Sequence, residues 1–124
     1  MQYAILCYHD EATVGSLTEE EDAALMAELE VVRRQLEDRL GPVARLMPTT
    51  AATTVRAGAE PLVIDGPFAE TKEQLLGFYV IDCATLEEAI EAARLLTAPR
   101  VAAGLKGALE IRPISIFVPG SRAA

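Results

Sequence analysis

At 124 residues the chain is about one domain, with room for a real core but not for a second one. Hydrophobic residues at 51% against 24% charged exclude a disordered chain. Eleven Lys and Arg against 19 Asp and Glu give a net charge of −8, which excludes a nucleic-acid backbone or an anionic membrane surface as a partner, since no basic cluster offsets the average repulsion.

The first residues, MQYAILCYHD, lack the basic start of a secretory signal, and no apolar run approaches the roughly 18 residues of a membrane span. That predicts a soluble, cytoplasmic protein. Within this stretch QYAILCYH is of strand length and apolar on both faces, which predicts a central strand. A loop, DEATVGSL, follows. From Thr18 to Leu40, the residues Leu25, Leu29, Val32, Leu36 and Leu40 recur at helical spacing and predict an amphipathic helix. Thr18 with Glu21 forms a capping-box signature at its start, and Gly41-Pro42 supplies the stop.

The segment from Val43 to Val55 turns β-like, with an interruption expected at Pro48, and RAGAE punctuates a hairpin into PLVID. After the loop DGPFAETKE, the run LLGFYVIDC predicts a second central strand. Thr85 and Glu88 repeat the capping box before a helix whose Leu86, Ala89, Ile90, Ala93 and Leu96 share a face, and Pro99 is expected to end it. LEIRPISIF is the last strand, with Pro113 at an edge. The order predicts an α+β, ferredoxin-like βαββαβ sandwich with an extra hairpin, one domain over residues 1–118 and a flexible tail over 119–124. Two helices cover only one face of such a sheet, while the central strands are apolar on both, so a second copy, a homodimer, is the expected cover for the open face.

Four residues stand out for chemistry. DGPFAETKE is longer and more charged than a hairpin turn requires. Within it Pro67 fixes the backbone path, and Asp65 either accepts the backbone N–H groups just ahead of it or acts as a general base beside a pocket. Lys72 is the complementary cation, able to hold a carboxylate or oxyanion, or else a solvated lysine paired with Glu70 or Glu73. His9 ends the first strand, from which an imidazole can reach a pocket mouth and transfer protons, with Asp10 or Asp65 as orienting partner. Arg112 either pairs with Glu110 or points into a ligand cleft. These cations against an acidic surface favour a small anionic ligand. Cys7 and Cys83 lie in apolar runs and read as reduced core thiols. One histidine cannot build a His-rich metal site, and no phosphate-binding loop or nucleophile elbow is present, so no cofactor or metal is expected.

DGPFAETKEQLLGFYVID, together with the first strand's acidic HDE ending and the final LEIRP, closely resembles the DGPF-domain branch of the YCII-related family, over roughly Met1 to Ile114. The resemblance implies a dimeric α+β barrel of ferredoxin-like protomers, and many members are encoded beside sigma factors of the extracytoplasmic-function group. It supplies no settled activity. Relatives with a proposed catalytic pair carry a histidine early in the first helix and a facing aspartate, whereas this helix reads EEEDAALMAE, so only Asp65 matches. Two readings follow. One is a small cofactor-free enzyme that transfers a proton or eliminates a small group on an anionic organic substrate, on the scale of the chemistry of muconolactone isomerases, with Asp65 as base and Lys72, Arg112 or His9 as partners. The other is a non-catalytic ligand-binding or regulatory module linked to a sigma factor.

Overall fold

The computed structural model describes residues 1–121; of the tail expected from 119 onward, residues 122–124 lie outside the described residues. The two doubly apolar runs form β1 (Gln2–His9) and β5 (Gln74–Asp82), and they are the central strands of an antiparallel four-stranded sheet. Its edges are β2 (Leu40–Arg45), beside β5, and β6 (Gly107–Pro113), beside β1. β3 (Thr53–Arg56) and β4 (Leu62–Asp65) form a separate two-stranded ribbon, the hairpin punctuated by RAGAE. Helices α2 (Glu19–Gln35) and α3 (Leu86–Ala102) belong to one shared core with the sheet, in the ferredoxin-like order read from the sequence.

That core consists of Tyr3, Ile5 and Cys7 from β1 and Tyr79 and Ile81 from β5, closed by Leu25, Leu29, Val32 and Leu36 of the α2 segment and Ala89, Ala93 and Leu96 of α3. Each fully buried aliphatic side chain contributes about 1.5–3 kcal/mol relative to exposure. Ala4, Leu6, Tyr8 and Phe78 alternate onto the opposite face and stay half-buried. Both cysteines are buried free thiols. No helix among the described residues is long and apolar enough to cross a membrane.

Four boundaries differ from expectation, each for a local reason. The loop after β1 contains a short helix, α1 (Glu11–Gly15), because the Asp10 carboxylate caps it, accepting from the Ala12 N–H at 3.2 Å and the Thr13 hydroxyl at 3.0 Å. α2 starts at the expected capping box, with both reciprocal bonds formed, but stops at Gln35: the chain tightens there, and the Leu36 N–H reaches the Arg33 carbonyl as well as that of Val32, each at 3.1 Å. Gly41-Pro42 therefore lies inside β2, tolerated as a register shift on an edge strand. α3 runs past Pro99, since a proline near a helix end removes one backbone bond and the turn around it is held by buried Leu96 and Arg100. At the other end of α3 only half of the expected box forms. The Thr85 hydroxyl accepts the Glu88 N–H at 3.2 Å, but the Glu88 carboxylate is drawn away to Arg39 at 3.3 Å.

Candidate functional site

β1 pairs with β5 through a bulge after Cys7, beyond which His9 lies opposite Gln74 on β5 and opposite Gly107 on β6. Bulges beside a sheet's end re-aim the side chains that follow. The His9 ring is directed inward, only 6% exposed, and neither of its nitrogens has a hydrogen-bond partner among the described residues. Gly107 makes room for it: a Cβ there would stand 2.3 Å from His9 Nδ1 and 2.1 Å from the Tyr8 carbonyl oxygen. Burial pushes the imidazole pKa down, and the positive charge of Arg100 adds to that, while the Lys106 backbone, near the ring but outside hydrogen-bond geometry, and the charge of Glu73 act less strongly the other way. The ring is therefore neutral at pH 7, with one nitrogen carrying a lone pair.

His9 lines a cavity of about 100 Å³ between the sheet and α2, where Leu25, Met26 and Leu29 form an apolar wall. Arg100, in the last turn of α3, also lines it and is 9% exposed. Its Nη1 donates to the Leu96 carbonyl at 2.5 Å, and its Nη2 to the Tyr79 hydroxyl at 2.8 Å and, weakly, to Cys7 Sγ at 3.9 Å. The guanidinium carbon stands 5.6 Å from the Tyr79 ring centroid. Arg100 makes no ion pair among the described residues. Burial pushes the Cys7 thiol up against the opposing pull of Arg100, so Cys7 stays protonated and gives the guanidinium no counter-charge.

Arg45 and Asp22 also line the cavity and form a two-pronged pair between β2 and α2, at 3.0 and 3.2 Å. The same two residues line a larger cleft of about 520 Å³, reaching Thr18, Met47 and Pro48. Glu11, on the wall of that cleft, ties α1 to the chain after β2, for its carboxylate accepts the Thr49 N–H at 3.0 Å and the Thr49 hydroxyl as well. Those bonds hold the Glu11 carboxyl below the usual carboxylate range.

Of the four residues singled out by sequence, only His9 lies in the cavity. Asp65 ends β4 on the exposed ribbon, opposite Thr53, and its carboxylate accepts no hydrogen bond among the described residues. The turn it was expected to organise is held by the backbone instead: the Gly66 N–H donates to the Ala52 carbonyl at 2.7 Å, the Thr54 hydroxyl donates to the Gly66 carbonyl at 2.8 Å, and Gly66 takes φ +97°, open to glycine at no steric cost. Lys72 is exposed and pairs with neither Glu70 nor Glu73 among the described residues. Arg112 pairs with Glu110 at 2.5 Å on β6. Asp10, considered as a partner for His9, is committed to the α1 cap.

Sequence reasoning missed Arg100. A signal was present: Ala89, Ala92, Ala93, Leu96 and Arg100 continue one buried helical stripe, and an arginine in that stripe is out of place unless it has a polar task. Among the described residues no group of three or more His, Cys, Asp or Glu side chains is placed to hold a metal ion. A YCII-related domain model matches residues 1–117. An uncharacterized protein of Rhizobium meliloti (strain 1021) is 51% identical over 123 residues, which span 97% of this chain and 97% of that protein.

Proposed function

This chain belongs to the YCII-related family, and within that family we propose that it is a small cofactor-free enzyme that moves a proton on a small anionic organic substrate held between the sheet and α2. The observation that carries the reading is the buried imidazole of His9, neutral, with no hydrogen-bond partner on either nitrogen among the described residues, in a residue that lines a cavity. Buried polar atoms are normally satisfied, and an orphaned pair beside a cavity is a feature that a substrate can complete once the ring turns toward it.

The chemistry is a proton abstraction beside a carbonyl. The lone pair of His9 takes the proton from the carbon, and the C–H electron pair moves into the carbonyl to give an enolate. The imidazolium then returns its proton to the same carbon, or a leaving group on the next carbon departs with its own bonding pair while the enolate pair forms the new C=C bond, and the change is an elimination. A base pKa below the ordinary histidine value keeps the ring deprotonated at neutral pH, ready for this step. Asp65, Lys72 and Arg112 are not among the residues that line the cavity. The test is solvent deuterium exchange into pyruvate and 2-oxobutanoate, followed by proton NMR. Wild-type protein is expected to speed exchange at the carbon beside the keto group, and His9→Gln to lose that effect. No acceleration over His9→Gln with either acid would set proton transfer aside.

A second reading, a ligand-binding or regulatory module of the kind found beside sigma factors, draws on the exposed apolar side chains Val55, Leu62 and Val63 of the ribbon and Phe68 of the following loop. In both readings the half-buried face of Leu6, Tyr8 and Phe78 is covered by a second copy, giving a homodimer with an interface above roughly 1,000 Å². Light scattering that returns a monomer at micromolar concentration would remove the dimer.

A further inference from the structure

A guanidinium cannot shed its charge, so Arg100 brings a permanent positive charge into the core beside a neutral histidine. Burying an ion costs several kcal/mol even after the surroundings relax, and a partner of opposite sign normally offsets that cost. Among the described residues there is none. Asp22 is engaged by Arg45, Glu30 by Arg33, and Cys7 is protonated. The three arginines and one aspartate that line the cavity thus leave one cation without a counter-charge, inside a chain whose net charge is −8. The Nε–H of Arg100 makes no hydrogen bond among the described residues, although Nη1 and Nη2 do.

We propose that Arg100 is the anion receptor of this cavity and that the ligand is a small organic monocarboxylate: its carboxylate pairs with the Arg100 guanidinium and accepts from a His9 ring N–H, and its apolar body lies on Leu25, Met26 and Leu29. A monoanion fits because, among the described residues that line the cavity, one cation is unpaired, and a dianion such as phosphate would bring a second charge against an apolar wall with nothing to meet it. A low-dielectric cleft focuses the field of a single buried cation, so small anions enter while the acidic surface turns polyanions away. The inference rests on the cavity being a ligand site, as in the proton-transfer reading, but not on His9 acting as a base.

The test uses the full chain with 3-methylbutanoate, its neutral amide and inorganic phosphate, read by calorimetric titration and thermal shift. The acid is expected to raise the melting temperature, with the amide and phosphate leaving it unchanged. Arg100→Met is expected to weaken acid binding by at least about tenfold. Wild-type protein that binds the acid but gives no deuterium exchange into pyruvate or 2-oxobutanoate would refute the proton-transfer reading and leave this one standing, so the two ideas fail separately. Should Arg100→Met not fold, the Nε–H resonance of Arg100 in wild-type protein carries the same test, because bound acid must shift it. Equal stabilisation by the amide, tighter binding of phosphate, undiminished affinity in Arg100→Met, an unmoved Nε–H signal in a saturated sample, or no binding of the acid at all would each overturn the proposal.

Discussion

Gly107→Ala adds one methyl group at the point where β6 meets the end of β1. Its Cβ would sit 2.1 Å from the Tyr8 carbonyl oxygen, 2.3 Å from His9 Nδ1 and 3.0 Å from His9 Cα. The imidazole can turn aside, but the carbonyl and Cα belong to the backbone of a central strand, so the two strands must part by most of an ångström or the β1–β6 ladder must break locally. Forced overpacking of this kind costs about 1–3 kcal/mol. For a domain of this size each kcal/mol lowers the melting temperature by about 3–6 °C, so a loss of about 3–18 °C is expected. Gly15→Ala is the control, because nothing lies within 4 Å of a Cβ at Gly15. Thermal melts followed by circular dichroism compare the two. The double variant with His9→Ala should recover only part of the loss, since the collision with the Tyr8 carbonyl stays. Melting of Gly107→Ala within about 1 °C of Gly15→Ala would refute the claim that the glycine is required to seat His9.

Thr18→Ala removes the hydroxyl of the α2 capping box and should cost about 1 kcal/mol in denaturant melts, whereas Thr85→Ala, which removes half a box, should cost less. His9 gives a pH signature: above its ordinary value of 6.5 the ring is neutral in both states, but as pH falls below 6.5 the unfolded chain takes up a proton that the buried ring resists, so stability is lost until the lowered folded value is passed. Melting temperatures taken from about pH 7.5 down to pH 5 should therefore fall more steeply for wild type than for His9→Gln, and parallel curves would contradict the lowered value. Asp65→Asn and Asp65→Ala should both stay within about 0.5 kcal/mol of wild type, because the turn is held by backbone bonds and Gly66; a large loss on chemical denaturation in either would show that the carboxylate organises the loop after all.

The central strands, the ribbon and the α2 cap were legible because each is written in neighbouring residues: alternation or continuous apolarity in QYAILCYH and LLGFYVID, and Thr18 three positions before Glu21. α1 was missed because five residues carry too little periodicity, although the Asp10 cap was visible in retrospect. The site was harder to read for a different reason. The charge of DGPFAETKE points to Asp65 and Lys72, but a residue's chemical use depends on burial, and both residues are exposed. Arg100 becomes conspicuous only when α3 is seen to continue beyond Pro99 and to lay that side chain on Tyr79 and Cys7, contacts that span 21 and 93 positions of sequence. No local pattern encodes such a pairing. His9 was visible as the end of a strand, but its lack of partners follows from the bulge after Cys7 and the space at Gly107.

The most direct measurement is a crystal structure of the protein grown with 3-methylbutanoate. The expected density places the carboxylate within hydrogen-bonding distance of the Arg100 guanidinium, with its isopropyl end against Leu25, Met26 and Leu29 and one oxygen facing the His9 ring. An acid seated instead on Lys72 or Arg112, with the cavity between the sheet and α2 left without it, would contradict the assignment of the site.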